Sequence, residues 1–504
     1  MSLWDDLVNS LKPKQVQQPV AETKPQVEIV NQTFIPPGIK PGVATLAQAD
    51  ANTAGIRQTL AKYGRFDLPP GRYSIGNDIR IASGNEINGL GNSEAPSCLV
   101  PVASSKYIAE RGDVVGGGEW FSVIQTNLQA GSNPRVGERY GLPEGPSHNV
   151  SISNLLIDCA FDNQVKDAQS RSKTTVQAIA IEGCGISLKN VDVVHAARGL
   201  GGGECFPIRV VAPQARVYVS ARTTVERCSV SDPGRAKTTH NGGAGFEITC
   251  ITVAGSPGNI IENPIIKECR VFGMPRNSSQ PSPVHAYHTA YTRGAVVADN
   301  YAADVDGVGY YVDTGRSWHT SLARNQFLRV HKGVFLNAVT DFCVTDMDIR
   351  HNTIELMDTT PGWLMDNPPA GIVMQHTAAY GAAALRFDRV HAEGNTIIGR
   401  GGNLTGVGSM GYYPRGFYWR FDNRASARNL SAFRNTIDVP LFDVNPYYFQ
   451  WSHSLALYFA TLSAWDKTNP MVKAYGNSAP SGSKIAVTVV DDSFKPALSV
   501  EQLT

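Results

Sequence analysis

Short runs in which apolar and polar residues strictly alternate recur along the chain, and several open with glycine: "GFEIT" (245–249), "GYYVD" (309–313), "GVFLN" (333–337), "GIVMQ" (371–375) and "GFYWR" (416–420). Side chains alternate across a β-strand, so one set in each run faces a core. The inward set is Phe246, Tyr310, Val334, Ile372 and Phe417, followed by Ile248, Val312, Leu336, Met374 and Trp419. The outward set is Glu247, Tyr311, Phe335, Val373 and Tyr418, then Thr249, Asp313, Asn337, Gln375 and Arg420. A helix would need a 3.6-residue period over about eleven residues or more, and these runs are too short for it.

A second pattern accompanies the first. In "DIRHNTIEL" (348–356) an asparagine sits between two short alternating segments, and "SLARNQFLRV", "RVHAEGNTIIG" and "LSAFRNTIDV" repeat the arrangement. The series reads Asn154, Asn190, Cys228, Cys269, Asn300, Asn325, Asn352, Asn395 and Asn435. A constant local pattern at irregular spacing means a fixed coil carrying loops of variable length. Asparagine suits a tight bend because it tolerates the left-handed backbone region and its amide bonds the main chain. Stacked amides also bond one another, which satisfies buried polar groups. The expectation is an all-β chain, a right-handed parallel β-helix over residues 41–440.

The ends read differently. Leu3, Trp4, Leu7, Val8 and Leu11 form an apolar stripe opposite Asp5, Asp6 and Asn9, so residues 1–12 are expected as a short amphipathic anchor helix. A Pro- and Gln-rich linker follows over 13–40. A second helix is expected at 50–64, with Ile56 and Leu60 on one face and Gly64 as its stop. Pro69-Pro70-Gly71 then turns between two strands, which makes this region a plug for one end of the stack. Residues 441–504 are dense in aromatics and depart from the coil pattern. They are expected as a capping and oligomerisation region, because an open β-helix end invites edge pairing.

With 45 basic against 44 acidic residues, no overall field draws the chain to nucleic acid or an anionic membrane. No apolar stretch is long enough for membrane insertion. The start "MSLWDDLVNS" lacks the basic flank and apolar core of a signal peptide. The eight Cys are scattered without a CxxC pair, as expected of free, buried thiols.

The ladder, together with "LPPGRYSI" after a short helix, resembles the pectate-lyase-like β-helix superfamily over roughly residues 41–440. Within it the chain is most similar to phage tailspike and polysaccharide-depolymerase proteins. That resemblance implies a homotrimeric receptor-binding protein of the virion tail, acting outside the cell on a bacterial surface polysaccharide. Residues 1–12 would dock on a tail or baseplate protein. The paired "DD", "GHG" and "RxK" set of polygalacturonases is not found, nor is the Asp-rich calcium site of pectate lyases.

Glycoside cleavage needs two carboxyls, about 5 Å apart for retention or about 6.5–9.5 Å for inversion. Glu247 and Asp313 on the outward face are the first candidates, with Asp304 and Asp306 just upstream. Sugar rings lay their C–H faces on aromatics while their hydroxyls bond polar groups. The candidate substrate-binding residues are therefore His288, Tyr311, Arg316, Trp318, Phe335, Tyr418 and Arg420. A lyase would need a base near the C5 proton of a uronate and a cation for its carboxylate. "HAYHTAYTRG" (285–294) and "DTGRSWHT" (313–320) hold such residues. His285 and His288 lack a carboxylate partner at a recognised interval, so no metal is expected, and no cofactor. "GVGSMG" (406–411) has no strand before it and no helix after, so it is not a nucleotide loop. Two other readings remain: a free hydrolase or lyase with no virion, and a non-catalytic β-helical adhesin.

Overall fold

The computed structural model describes residues 33–42, 45–102, 114–115, 118–126, 147–160, 174–198, 205–212, 222–233, 248–256, 258–273, 284–312, 316–338, 343–357, 369–376, 387–399, 415–421, 427–439, 457–461, 472–478, 487–489 and 498–500. The longer strands, among them Val284–Ala290, Val308–Val312, Lys332–Ala338, Ala370–His376 and Arg415–Phe421, run parallel, each beside the next, in a 14-stranded sheet. Shorter strands such as Val296–Ala298, Tyr301–Ala303, Ser321–Ala323 and Gln326–Val330 complete each revolution and belong to a 26-stranded sheet. Each strand pairs with its equivalent one revolution away, which makes the fold a parallel β-helix.

The alternation describes the long strands correctly. Tyr310, Val334, Ile372 and Phe417 form one in-register column, and Val312, Leu336, Met374 and Trp419 another. All eight are fully buried. Of "GFEIT" only Ile248 and Thr249 are described: Ile248 is buried in the core as expected, but it pairs with Val284, three residues before Ile251, which with Tyr287 occupies the column of Tyr310. The glycines that open the runs have a packing reason. A Cβ on Gly309, Gly333 or Gly371 would lie 2.5–2.6 Å from Phe327, Ile354 or Ile397 on the facing wall.

The asparagine ladder is continuous from Asn300 to Asn477. In each rung the Oδ1 accepts from the backbone N–H and the amide of the preceding asparagine: Asn325 accepts from Asn300 at 3.0 and 2.9 Å, and Asn352 from Asn325 at 2.9 and 2.9 Å. The amide also donates to a carbonyl, as Asn325 Nδ2 does to Val297 at 2.9 Å. Cys269 continues the column with a thiol: its N–H donates to Asn300 and its Sγ lies 3.3 Å from the Val225 carbonyl.

Two expected members stand elsewhere. Asn154 and Asn190 lie one residue earlier, and the buried Leu155 and Val191 take the inward position. Their own column is a corner of left-handed residues with positive φ: Asn154, Asn190, Arg227, Glu268, Asp299, Arg324, His351, Gly394, Arg434 and Gly476. The left-handed turn aims the corner side chain at solvent and the next residue at the core. Asparagine fits either position, so its identity alone does not separate them.

At the start, helix Leu46–Tyr63 is capped by Thr45, whose side chain accepts from Gln48 N–H, and by the left-handed Gly64. It packs on the first strands through Ile56 and Leu60. Residues 1–12, the expected anchor, and most of the linker lie outside the described residues. The expected change of architecture at 441 is not seen among the described residues. Leu457–Thr461 pairs with Arg415–Phe421, Val472–Tyr475 pairs with Leu430–Phe433, and Asn477 adds a rung. Coils therefore continue there.

Candidate functional site

Of the expected sugar-binding residues, His288, Tyr311, Phe335 and Tyr418 lie on the outer side of the 14-stranded sheet. Thr252, His288, Tyr311, Phe335, Val373 and Tyr418 form one column, and Arg420 pairs in register with Gln375 two residues on from Tyr418. The aromatic side chains of this column pack against neighbouring rings and cations instead of standing open. His285 and Tyr311 have ring centroids 4.7 Å apart and Tyr311 and Phe335 5.5 Å apart. Lys332 Nζ sits 4.0 Å over Phe335, and the Arg415 guanidinium 4.7 Å over Tyr418. Tyr311 is 7% exposed and Tyr418 1%. Outward from the coil therefore does not mean open to a polysaccharide here.

Arg316 and Trp318 fall on the next face. Trp318 is in register with Arg293, whose guanidinium lies 5.5 Å from its ring and 3.1 Å from Glu262. Asp304 is a left-handed corner residue in a two-pronged ion pair with Arg329, both contacts 2.6 Å. Asp306 accepts from the Val284 N–H at 2.9 Å. Asp306 thus ties down the backbone, while Asp304 is engaged by another corner side chain. Glu247 and Asp313 lie outside the described residues. Their described neighbours Ile248 and Val312 occupy different columns, since Ile248 pairs with Val284 and Val312 lies one residue beyond the partner of His288.

An open groove of about 1020 Å³ lies elsewhere, along the charged corner and the face beside it. Its edge is the left-handed column Arg227, Glu268, Asp299 and Arg324. Its floor carries Ser229, Arg270, Tyr301 and Gln326, in register from coil to coil. Phe272 stands beside Tyr301, with centroids 5.6 Å apart and planes tilted by 48°, and it is 39% exposed.

The carboxylates here are engaged. Asp299 takes both prongs of Arg324 at 2.6 and 2.8 Å. Glu268 meets Lys267 at 2.8 Å and Arg227 at 3.5 Å. The Lys267 hydrogen bond holds Glu268 below the usual carboxylate range, and the Arg324 hydrogen bond does the same for Asp299. Such groups stay ionised at neutral pH. They accept hydroxyl hydrogen bonds and do not serve as the proton donor that glycoside cleavage requires.

A second cluster lies toward the first coils on the same face, where Arg72 stands in the column that leads through Cys98 to Leu156, Asp192, Ser229 and Arg270. Asp158, nearly buried, bonds Arg72 and sits 2.8 Å from His195 Nδ1. Burial pushes the Asp158 carboxyl up, but hydrogen bonds from His195, Arg72 and the Ala160 N–H outweigh it and the pKa is lowered. Arg72 and His195 are half-exposed. A carboxylate on Nδ1 orients an imidazole so that Nε2 faces outward as a base. Neither this cluster nor the groove stood out in the sequence. Arg270 and Phe272 belong to "ECRVFG", and only the register joins them to Tyr301 and Ser229.

No family profile and no curated protein sequence matches the chain. Among solved structures it is similar to gene product 12 of bacteriophage phi29 in its pre-mature form, with TM-score 0.52 and 10% identity over 92% of this chain and 54% of that one. The surface adhesin PfbA of Streptococcus pneumoniae aligns with TM-score 0.48 and 12% identity over 93% of this chain and 88% of that one. The A-module of the mannuronan C-5 epimerase AlgE6 of Azotobacter vinelandii aligns with TM-score 0.39 and 10% identity over 94% and 98%. At such identities the likeness concerns architecture alone, and the architecture is the parallel β-helix.

Proposed function

We propose that this chain is a receptor-binding spike of the phage tailspike kind that holds a bacterial surface polysaccharide along its charged groove. The observation that carries the reading is the groove itself, in which the tilted Phe272–Tyr301 pair lies beside a row of ionised side chains. Aromatic faces take the C–H side of a sugar ring, and the paired carboxylates, guanidiniums and Gln326 meet its hydroxyls. The β-helical likeness to a phage protein agrees with this reading. The test is retention of purified capsular polysaccharides and lipopolysaccharide by the whole chain. Tyr301→Ala and Phe272→Ala should each weaken retention about tenfold with the fold intact. Unchanged retention in both variants would remove the groove from the reading.

Attachment to a tail or baseplate protein through residues 1–12 and assembly as a homotrimer belong to the same proposal. A chain lacking residues 1–30 should still bind polysaccharide but no longer join particles, and sedimentation should give three copies. Cleavage is a second reading, favoured by the Arg72–Asp158–His195 cluster. There His195 would take the C5 proton of a uronate, the C4–O bond would break with its electron pair leaving on the oxygen, which takes a proton from water, and a C4=C5 double bond would form. Ultraviolet absorbance of conjugated ends, absent in His195→Ala, identifies that reaction. New reducing ends without that absorbance identify a hydrolase, and intact glycan identifies a binder.

A further inference from the structure

The groove's charges are not equivalent, and the difference points to a class of ligand. Its three carboxylates already have partners: Ser229 donates to Asp192, Lys267 and Arg227 meet Glu268, and Arg324 clasps Asp299. Arg270 is exposed on the groove floor and has no carboxylate partner among the described residues. Its neighbours in the column are Ser229 on one side and Tyr301 on the other. Every other guanidinium lining the groove is fixed by a carboxylate. Among the described residues lining the groove, Arg270 is the guanidinium left to meet something from outside, and its backbone pairs in register with Tyr301, about one coil spacing, about 4.8 Å, away.

We infer that Arg270 is the specificity-determining residue of this groove and that its ligand is a negatively charged polysaccharide. The inference rests on the reading of the groove as a glycan site and names the kind of glycan. A guanidinium presents a planar fork that matches a carboxylate or a phosphate with two parallel hydrogen bonds. A sugar ring resting on Tyr301 and Phe272 brings an acidic substituent on that ring, or on its neighbour, within reach of the fork. A neutral glycan would leave the guanidinium desolvated beneath it without an acceptor, which disfavours binding. The surrounding Arg–carboxylate pairs supply hydroxyl contacts to any sugar and do not discriminate.

The experiment uses the whole chain and an immobilised panel of purified capsular polysaccharides and O-chains, acidic and neutral. Each retained acidic glycan is tested again after its carboxyls have been reduced to alcohols. The retained glycans should be acidic. Arg270→Gln should weaken them about tenfold. Tyr301→Ala should weaken acidic and carboxyl-reduced glycans alike. If carboxyl reduction costs the same factor and abolishes the effect of Arg270→Gln, the anion is a carboxylate. If reduction changes nothing while Arg270→Gln still weakens binding, the anion is a phosphate or sulfate ester. Retention of neutral glycans, or acidic glycans held equally by Arg270→Gln, overturns the inference and leaves the glycan groove standing. Retention of nothing in the panel overturns the groove reading, and this inference with it.

Discussion

Replacing Asn352 with alanine tests the ladder where the structure gives the most to count. The side chain is 1% exposed. Its Oδ1 accepts from the Asn325 N–H and the Asn325 amide, both at 2.9 Å, and its Nδ2 donates to the Leu322 carbonyl at 3.0 Å and to Asn395 Oδ1 at 2.9 Å. Alanine removes all four bonds. Asn395 Oδ1 keeps the Asn352 backbone N–H at 3.0 Å, so it is not stranded. The two Asn325 donors lose their shared acceptor in a dry core, at about 1–3 kcal/mol each, and the Leu322 carbonyl loses a donor. The two donors together lose about 2–6 kcal/mol, a large share of the roughly 5–15 kcal/mol that holds an ordinary domain together. In a solenoid each coil contacts only its neighbours, so the loss stays near the broken rung. Hydrogen exchange read peptide by peptide should show protection falling by about that amount around 322–328 and 349–356, with strand Gly71–Ile75 unchanged. Asn190→Gly is the control. It removes a half-buried corner amide that bonds only the surface side chains Asn154 and Arg227, keeps the left-handed conformation, and should cost within about 1 kcal/mol. Protection near the rung within about 1 kcal/mol of wild type would mean that the ladder amides contribute little, and the reasoning would fail.

Gly371→Ala should destabilise by about 1–3 kcal/mol, since its Cβ would lie 2.6 Å from Ile397 Cδ1 and from the Gly416 carbonyl; a neutral effect on the thermal midpoint would show that the wall yields. Asp67, Asp158 and Asp388 are all pushed up by burial but held lower overall by their hydrogen-bond partners. A depressed folded pKa contributes stability that is fully present above the unfolded value, about 3.9, and is lost as pH falls through the folded value. Unfolding followed by circular dichroism should therefore be steady from neutrality to about pH 4 and worsen below it; a loss centred near pH 6 would contradict this. Of the eight free cysteines only Cys343 is not fully buried, and burial pushes the Cys98 thiol up to about 11. An aromatic disulfide reagent should modify at most Cys343 in the native state and all eight after denaturation. Rapid native labelling of several would show that the coils open.

The coil could be read from the sequence because two local rules recur together along the coils from Asn300 to Asn477. Period-two alternation separates inside from outside, and a buried amide marks the corner, so the in-register columns of Tyr310 and Val312 were predictable residue by residue. Register was less secure at Ile248, which is inward but pairs three residues ahead of the Tyr310 column, and where a corner asparagine mimicked an inward one, as at Asn154 and Asn190. The aromatic density after 440 hid Asn477 in the same way, since aromatics suggest a cap while the rung needs a single amide. The site was harder for a different reason. Alternation says that Tyr311 and Tyr418 point away from the coil, but their exposure depends on everything else that lies against that face, which is a long-range property. The open groove depends on register between residues thirty or more apart in sequence, such as Arg270 with Tyr301 and Ser229 with Arg270. A parallel stack thus turns distant, unremarkable strands into one continuous face. Its chemistry lies in the column each residue enters, and the pairing Arg324–Asp299 beside Arg270, which has no carboxylate partner among the described residues, appears only once those columns are assembled.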